Sequence, residues 1–118
     1  MADRLFDAER RFMEIIWETE PVNSTELCRL TLSALGWKKS TTYNMLRRLV
    51  ERGFAKNEGA TVSSLISRGE YVSRESGELI EKSFSGSVPA FLAAYLRDRK
   101  LSRAEIEELK RMIEEAGS

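Results

Sequence analysis

No histidine occurs in these 118 residues, and Cys28 has no second cysteine with which to form a disulfide or a metal cluster. Ser-His and Cys-His nucleophile pairs, imidazole-ligated zinc and the commonest general base are therefore out of reach. Carboxylates are abundant, but they recur at the solvated positions of helical patterns. The expectation is a protein that is not an enzyme and carries no cofactor and no metal. What remains is non-covalent recognition, and the residues for it lie between Lys38 and Lys56. That stretch holds six basic residues and one acid, Glu51, in a chain whose formal net charge is zero. Lys38, Lys39, Arg47, Arg48 and Lys56 carry charge that grips phosphate. Ser40, Thr41, Tyr43 and Asn44 are placed to meet base edges: a threonine methyl suits a thymine methyl, and asparagine can pair with adenine.

Such groups read a duplex only from a rigid support. Read as a helix, Trp37 to Gly53 puts Thr42, Leu46 and Leu49 on one face, with Met45 and Val50 at its borders. Ser40, Asn44, Arg47 and Arg48 then face the other way. An apolar back and a polar, basic front suit a recognition helix over about residues 39–52 in the major groove. Two helices are expected before it. Asp7 caps the first, which runs to about Glu18 with Ala8, Phe12, Ile15 and Ile16 as its buried stripe. Pro21 breaks the pattern. Asn23 opens the second helix with Glu26 completing a capping box, Leu27, Leu30 and Ala34 give its inward face, and Gly36 ends it. Trp37 is expected to wedge the corner between the second and third helices. After Gly53, Phe54–Asn57 and Ala60–Ile66 read as short strands about Glu58-Gly59, with Phe54, Val62 and Ile66 inward. The fold class is mainly α with a small β-hairpin: a winged helix-turn-helix followed by a helical region.

Three more helices follow, each opened by a serine. Ser67 with Glu70, and Ser102 with Glu105, form capping boxes; Ser87 caps the helix that has Pro89 in its first turn. Their apolar stripes are too wide for three short helices to bury against one another. Two copies that interleave would cover them, through Tyr71, Leu79, Phe84, Phe91, Leu92, Tyr95, Leu96, Ile106, Leu109 and Ile113. The expected organisation is a DNA-binding domain over residues 1–68 and a dimerisation region over 69–118. Charge divides in the same sense, with 11 Lys/Arg against 9 Asp/Glu up to residue 69 and 8 against 10 afterwards. No apolar run approaches the roughly 20 residues of a membrane span, and the amino terminus has no apolar secretion core. No membrane association and a cytoplasmic location are expected.

Four strings carry a family resemblance: Asp7-Ala8-Glu9 through Ile15-Ile16-Trp17; Val22 to Leu27; Trp37 to Thr41 with Met45-Leu46 and Arg48-Leu49 to Gly53; and Leu101-Ser102 with Glu105-Ile106, Glu108-Leu109 and Ile113. Through them the chain resembles the penicillinase-repressor family of bacterial winged-helix regulators (BlaI/MecI/CopY). The resemblance implies a homodimeric repressor on a palindromic double-stranded DNA operator, relieved by a signal. In that family the signal can be copper acting through a cysteine motif, which this chain lacks. It can also be an inactivating protease whose Asn-Phe target falls at Ala94-Tyr95, where the aromatic remains and the asparagine does not. Where the family often has Ser-Pro before the recognition helix, this chain has Lys38-Lys39, and Glu58-Gly59-Ala60 puts no cation at the wing tip. Two other readings of the residues stay open. One is a winged-helix adaptor for protein partners that reads no DNA. The other is a repressor that binds an effector near Tyr71, Phe84, Phe91 and Tyr95.

Overall fold

The structure, a computed structural model, describes residues 4–117. Helix α1 spans Asp7–Thr19, α2 Ser24–Leu35 and α3 Lys39–Glu51; strands β1 (Val22–Asn23), β2 (Ala55–Glu58) and β3 (Thr61–Ser64) accompany them. Helices α4 (Arg68–Phe84), α5 (Val88–Tyr95) and α6 (Arg103–Ala116) complete the chain. Two compact units result, one ending at Ser76 and the other beginning at Gly77.

Phe12, Met13 and Ile16 form the apolar stripe of α1 and are fully buried. Two expectations for this helix change. Its N-cap is Phe6 rather than Asp7, and Glu9 Oε1 returns to accept the Phe6 N–H at 2.9 Å. Ala8 is exposed, because Glu9, three residues before Phe12 and seven before Ile16, takes the inward position on that stripe. In α2 the Asn23 side chain accepts the Thr25 N–H at 2.8 Å. Glu26 does not close a capping box; it pairs with Arg29 one turn on. Ala34 is exposed rather than inward. Gly36 ends α2 with φ 70°, a left-handed conformation that costs a residue without Cβ little.

The sheet has three strands in the order β1-β3-β2, all antiparallel. Val62 lies opposite both Val22 and Asn57, so the wing's inner strand is the central one and Val62 is buried. The two-residue β1 has no legible sequence pattern. The turn also moves by one residue from its expected place. Gly59 and Ala60 occupy it with φ 58° and 67°, the paired positive values that a two-residue hairpin loop demands.

Phe54, Val62 and Ile66 face inward as expected and join α1, α2 and α3 in one core. Tyr71 belongs to that core too, at 3% exposure, with its hydroxyl accepting the Leu5 N–H at 2.7 Å and its ring against Trp17 and Phe54. It is a packing residue of the first unit, which removes it from the expected dimer contacts and from an effector pocket. Ion pairs hold the first two turns of α4 beside α1: Arg68 reaches Glu14 at 2.8 Å and Arg10 reaches Glu75 at 3.1 Å. The division between units therefore falls inside α4, later than the boundary expected after residue 68.

In the second unit Ser87 and Ser102 cap α5 and α6 through the N–H groups of Ala90 and Glu105. Phe84 meets Phe91 edge to face with centroids 5.5 Å apart, and Phe91 stacks on Tyr95 at 6.0 Å. No described residue of this unit is buried. Leu79, Tyr95, Ile106, Met112 and Ile113 are exposed, Ile113 at 60%.

Candidate nucleic-acid interface

The corner between α2 and α3 fixes the orientation of α3. Thr31 and Thr42 are both buried, and their hydroxyl oxygens lie 2.6 Å apart across the crossing. The Thr31 hydroxyl donates to the Cys28 carbonyl at 3.1 Å, so Thr42 is the donor to Thr31. Trp37 stacks on Phe12 at 5.7 Å and fills the corner, as its position in the sequence implies. With Met45, Leu46 and Leu49 buried, rotation of α3 about its axis would expose core.

Its outer face is the expected one. Lys38, Lys39, Ser40, Thr41, Asn44, Arg47 and Arg48 are all exposed. Thirteen residues at 1.5 Å each give a rod of roughly 20 Å, long enough to follow the major groove. No side chain caps its first turn, where the N-cap is Lys38. Asn44 Oδ1 accepts from Arg47 at 3.2 Å, and a bidentate contact to adenine requires Arg47 to let it go.

Three expected contact residues are more engaged than the sequence implied. Tyr43 is half-buried against the core, with its hydroxyl 3.3 Å from Ser24 Oγ. Lys56 lies 3.5 Å from Glu58, so part of its charge is met within the wing. Arg48 lies 3.8 Å from Glu9. The wing tip is also tethered, since the Ala60 carbonyl accepts the Ser24 N–H at 2.8 Å.

Glu9 is the residue that sequence reasoning missed. It sits at 1% exposure and pairs with Arg52 just beyond the end of α3. Arg52 in turn donates to the Arg4 carbonyl and lies over the rings of Phe6 and Phe54. Burial pushes the Glu9 carboxyl up, but hydrogen bonds from Arg52 and the Phe6 N–H, with the charges of Arg52 and Arg48, outweigh it and leave the group below its ordinary range. The available signal was its spacing: an acid in register with Phe12 and Ile16 on an inward stripe.

A helix-turn-helix with a solvent-facing basic helix, followed by a hairpin, defines the winged-helix class of DNA-binding domains. More narrowly, the chain belongs to the penicillinase repressor family, whose profile matches residues 5–115. The penicillinase repressor of Bacillus licheniformis is 26% identical over 116 residues, covering 95% of this chain and 91% of that one. The methicillin resistance regulatory protein MecI of Staphylococcus aureus is 24% identical over 110 residues, covering 90% and 89%. In three dimensions the chain is similar to the monomeric form of Bacillus licheniformis BlaI in complex with the blaP half-operator. It superposes with a TM-score of 0.52 at 25% identity, over 60% of this chain and 92% of that one. The family consists of DNA-binding repressors rather than enzymes. Among the described residues no helix is long and apolar enough to cross a membrane.

Proposed function

We propose that this protein is a transcriptional repressor that binds a palindromic operator as a homodimer. Each protomer lays α3 in the major groove of one half-site. Ser40, Thr41 and Asn44 meet base edges, while Lys38, Lys39, Arg47, Arg48 and Lys56 hold the phosphates. Tyr43 supports the helix more than it reads bases. The uncapped first turn of α3, flanked by two lysines, favours a phosphate there. The observation that carries the reading is the exposed basic face of α3, on a helix whose back is locked into the core.

The dimer rests on the region after residue 68, Tyr71 excepted. Apolar side chains exposed along α4, α5 and α6 gain by meeting a second copy, and two half-sites about 34 Å apart then bind bivalently. A DNA target places the protein in the cytoplasm. Ala94 and Tyr95 are exposed at the end of α5, and a protease cutting there would separate α6 from the rest of the dimer face.

Binding to DNA from upstream of its own gene, followed across a salt series, tests this function. Log affinity is expected to fall linearly with log salt, with a slope near −0.9 per phosphate neutralised. Asn44→Ala is expected to lose roughly 1–3 kcal/mol of discrimination at one base pair. Salt-independent binding would point instead to the adaptor reading.

A further inference from the structure

The Glu9 cluster has an asymmetry that folding alone does not require. One carboxylate oxygen, Oε1, accepts the Phe6 N–H and is paired with Arg52. The other, Oε2, is buried with no hydrogen-bond partner among the described residues. The nearby cation on that side is Arg48, whose Nη1 lies 3.8 Å away. Arg52 cannot turn outward without leaving Glu9, the Arg4 carbonyl and two aromatic rings. Among the described residues Arg48 has no such ties, and its side chain is 58% exposed. It follows Thr41 by seven residues, two turns along the same edge of α3, and so flanks the base-reading face. With one acid and two arginines the cluster keeps a net positive charge, which is carried on Arg48.

We infer that Glu9 is a positioning residue for DNA binding: its buried Oε2 holds one arm of the Arg48 guanidinium so that the other arm is presented to a backbone phosphate. The inference rests on the proposed DNA-binding function. A guanidinium can serve both oxygens because its five N–H donors form a rigid planar fork. An ammonium at the same position has the charge without the fork. Held in this way, Arg48 loses less side-chain freedom when it meets the phosphate, and the gain appears as affinity without added charge.

The test measures affinity of the full chain for a random-sequence duplex across a salt series, since a phosphate contact is independent of sequence. Arg48→Ala is expected to weaken binding and reduce the salt slope by about one. Arg48→Lys is expected to keep the slope while its affinity falls closer to that of Arg48→Ala than to wild type. Glu9→Gln is expected to weaken binding about 2- to 10-fold when Arg48 is present, the cost of ordering one long side chain, and to have no effect in the Arg48→Ala background. Equal losses in both backgrounds would make Glu9 a purely structural residue and overturn the inference, as would wild-type affinity in Arg48→Lys. If Glu9→Gln fails to fold, the comparison of lysine with alanine at position 48 decides alone. Absence of any salt-dependent binding by the wild type would defeat the DNA-binding function itself, whereas normal binding without coupling defeats only the role of Glu9.

Discussion

Two arginines near the end of α3 contact the same carboxylate and do different work. Arg52 is mostly buried and neutralises a charge that has no access to water, whereas Arg48 stands largely in solvent. Removing one partner of a buried pair strands the other, at a cost of about 3 kcal/mol, while an exposed pair is worth about 1 kcal/mol or less. Denaturant unfolding at neutral pH is therefore expected to show a much larger loss for Arg52→Ala than for Arg48→Ala. The sign of the pH dependence follows from the depressed acidity of Glu9. Its contribution is fully present above the ordinary glutamate value of 4.5 and is lost as pH falls through the lower folded value. The gap between wild type and Arg52→Ala is accordingly expected to narrow in acid. A gap that stayed constant down to pH 3 would mean that Glu9 is not the group Arg52 serves.

At the level of elements, the helices were legible because their caps and stripes are local. Asn23, Ser67, Ser87 and Ser102 sit where helices begin, Gly36 ends α2, and the apolar spacing of α3 gives its two faces. What escaped depends on partners distant in sequence. Glu9 reads as a solvated first-turn acid until Arg52, 43 residues on, comes beside it. Tyr71 reads as part of an amphipathic helix until the Leu5 N–H and Phe54 close around it, and β1 exists only because β3 passes alongside. Of the outer face of α3, the exposure of Ser40, Thr41 and Asn44 is legible from spacing, while the internal engagement of Tyr43, Arg48 and Lys56 is not. The hairpin turn lies one residue later than Glu58-Gly59 implies, because alanine gives no sign of a positive φ. That conformation strains an L-residue by roughly 1–2 kcal/mol, part of which glycine returns as entropy in the unfolded chain. Ala60→Gly is expected to raise stability by about 0.5 kcal/mol, seen as a higher urea midpoint at unchanged slope. A lower midpoint would show that the turn is not strained at this position.

For the whole molecule, the contrast between the units is the informative fact. The first has a closed core of Phe12, Ile16, Leu27, Leu49, Phe54 and Val62, whereas the second has ordered, capped helices and no buried residue among those described. A dimer that supplies the missing burial makes the melting of this region depend on protein concentration. Replacing Ile113, exposed at 60%, by glutamate is expected to yield a monomer in sedimentation. The same variant is expected to bind a half-site as well as wild type does, yet lose its advantage on the full palindrome. If it remained dimeric and equally tight on the palindrome, the dimer face would have to lie elsewhere.

The outward positions of α3 have a consequence for descent. Ser40, Thr41, Asn44 and Arg47 are exposed, while the helix is held by Thr42, Leu46 and Leu49 behind them. Exchanges at such exposed sites shift stability by about 0.5 kcal/mol or less. On the proposed function, a duplicated gene could therefore drift to a new operator through the codons of Ser40, Thr41 and Asn44 with its fold intact, and the original and its copy could come to govern separate promoters in one cell.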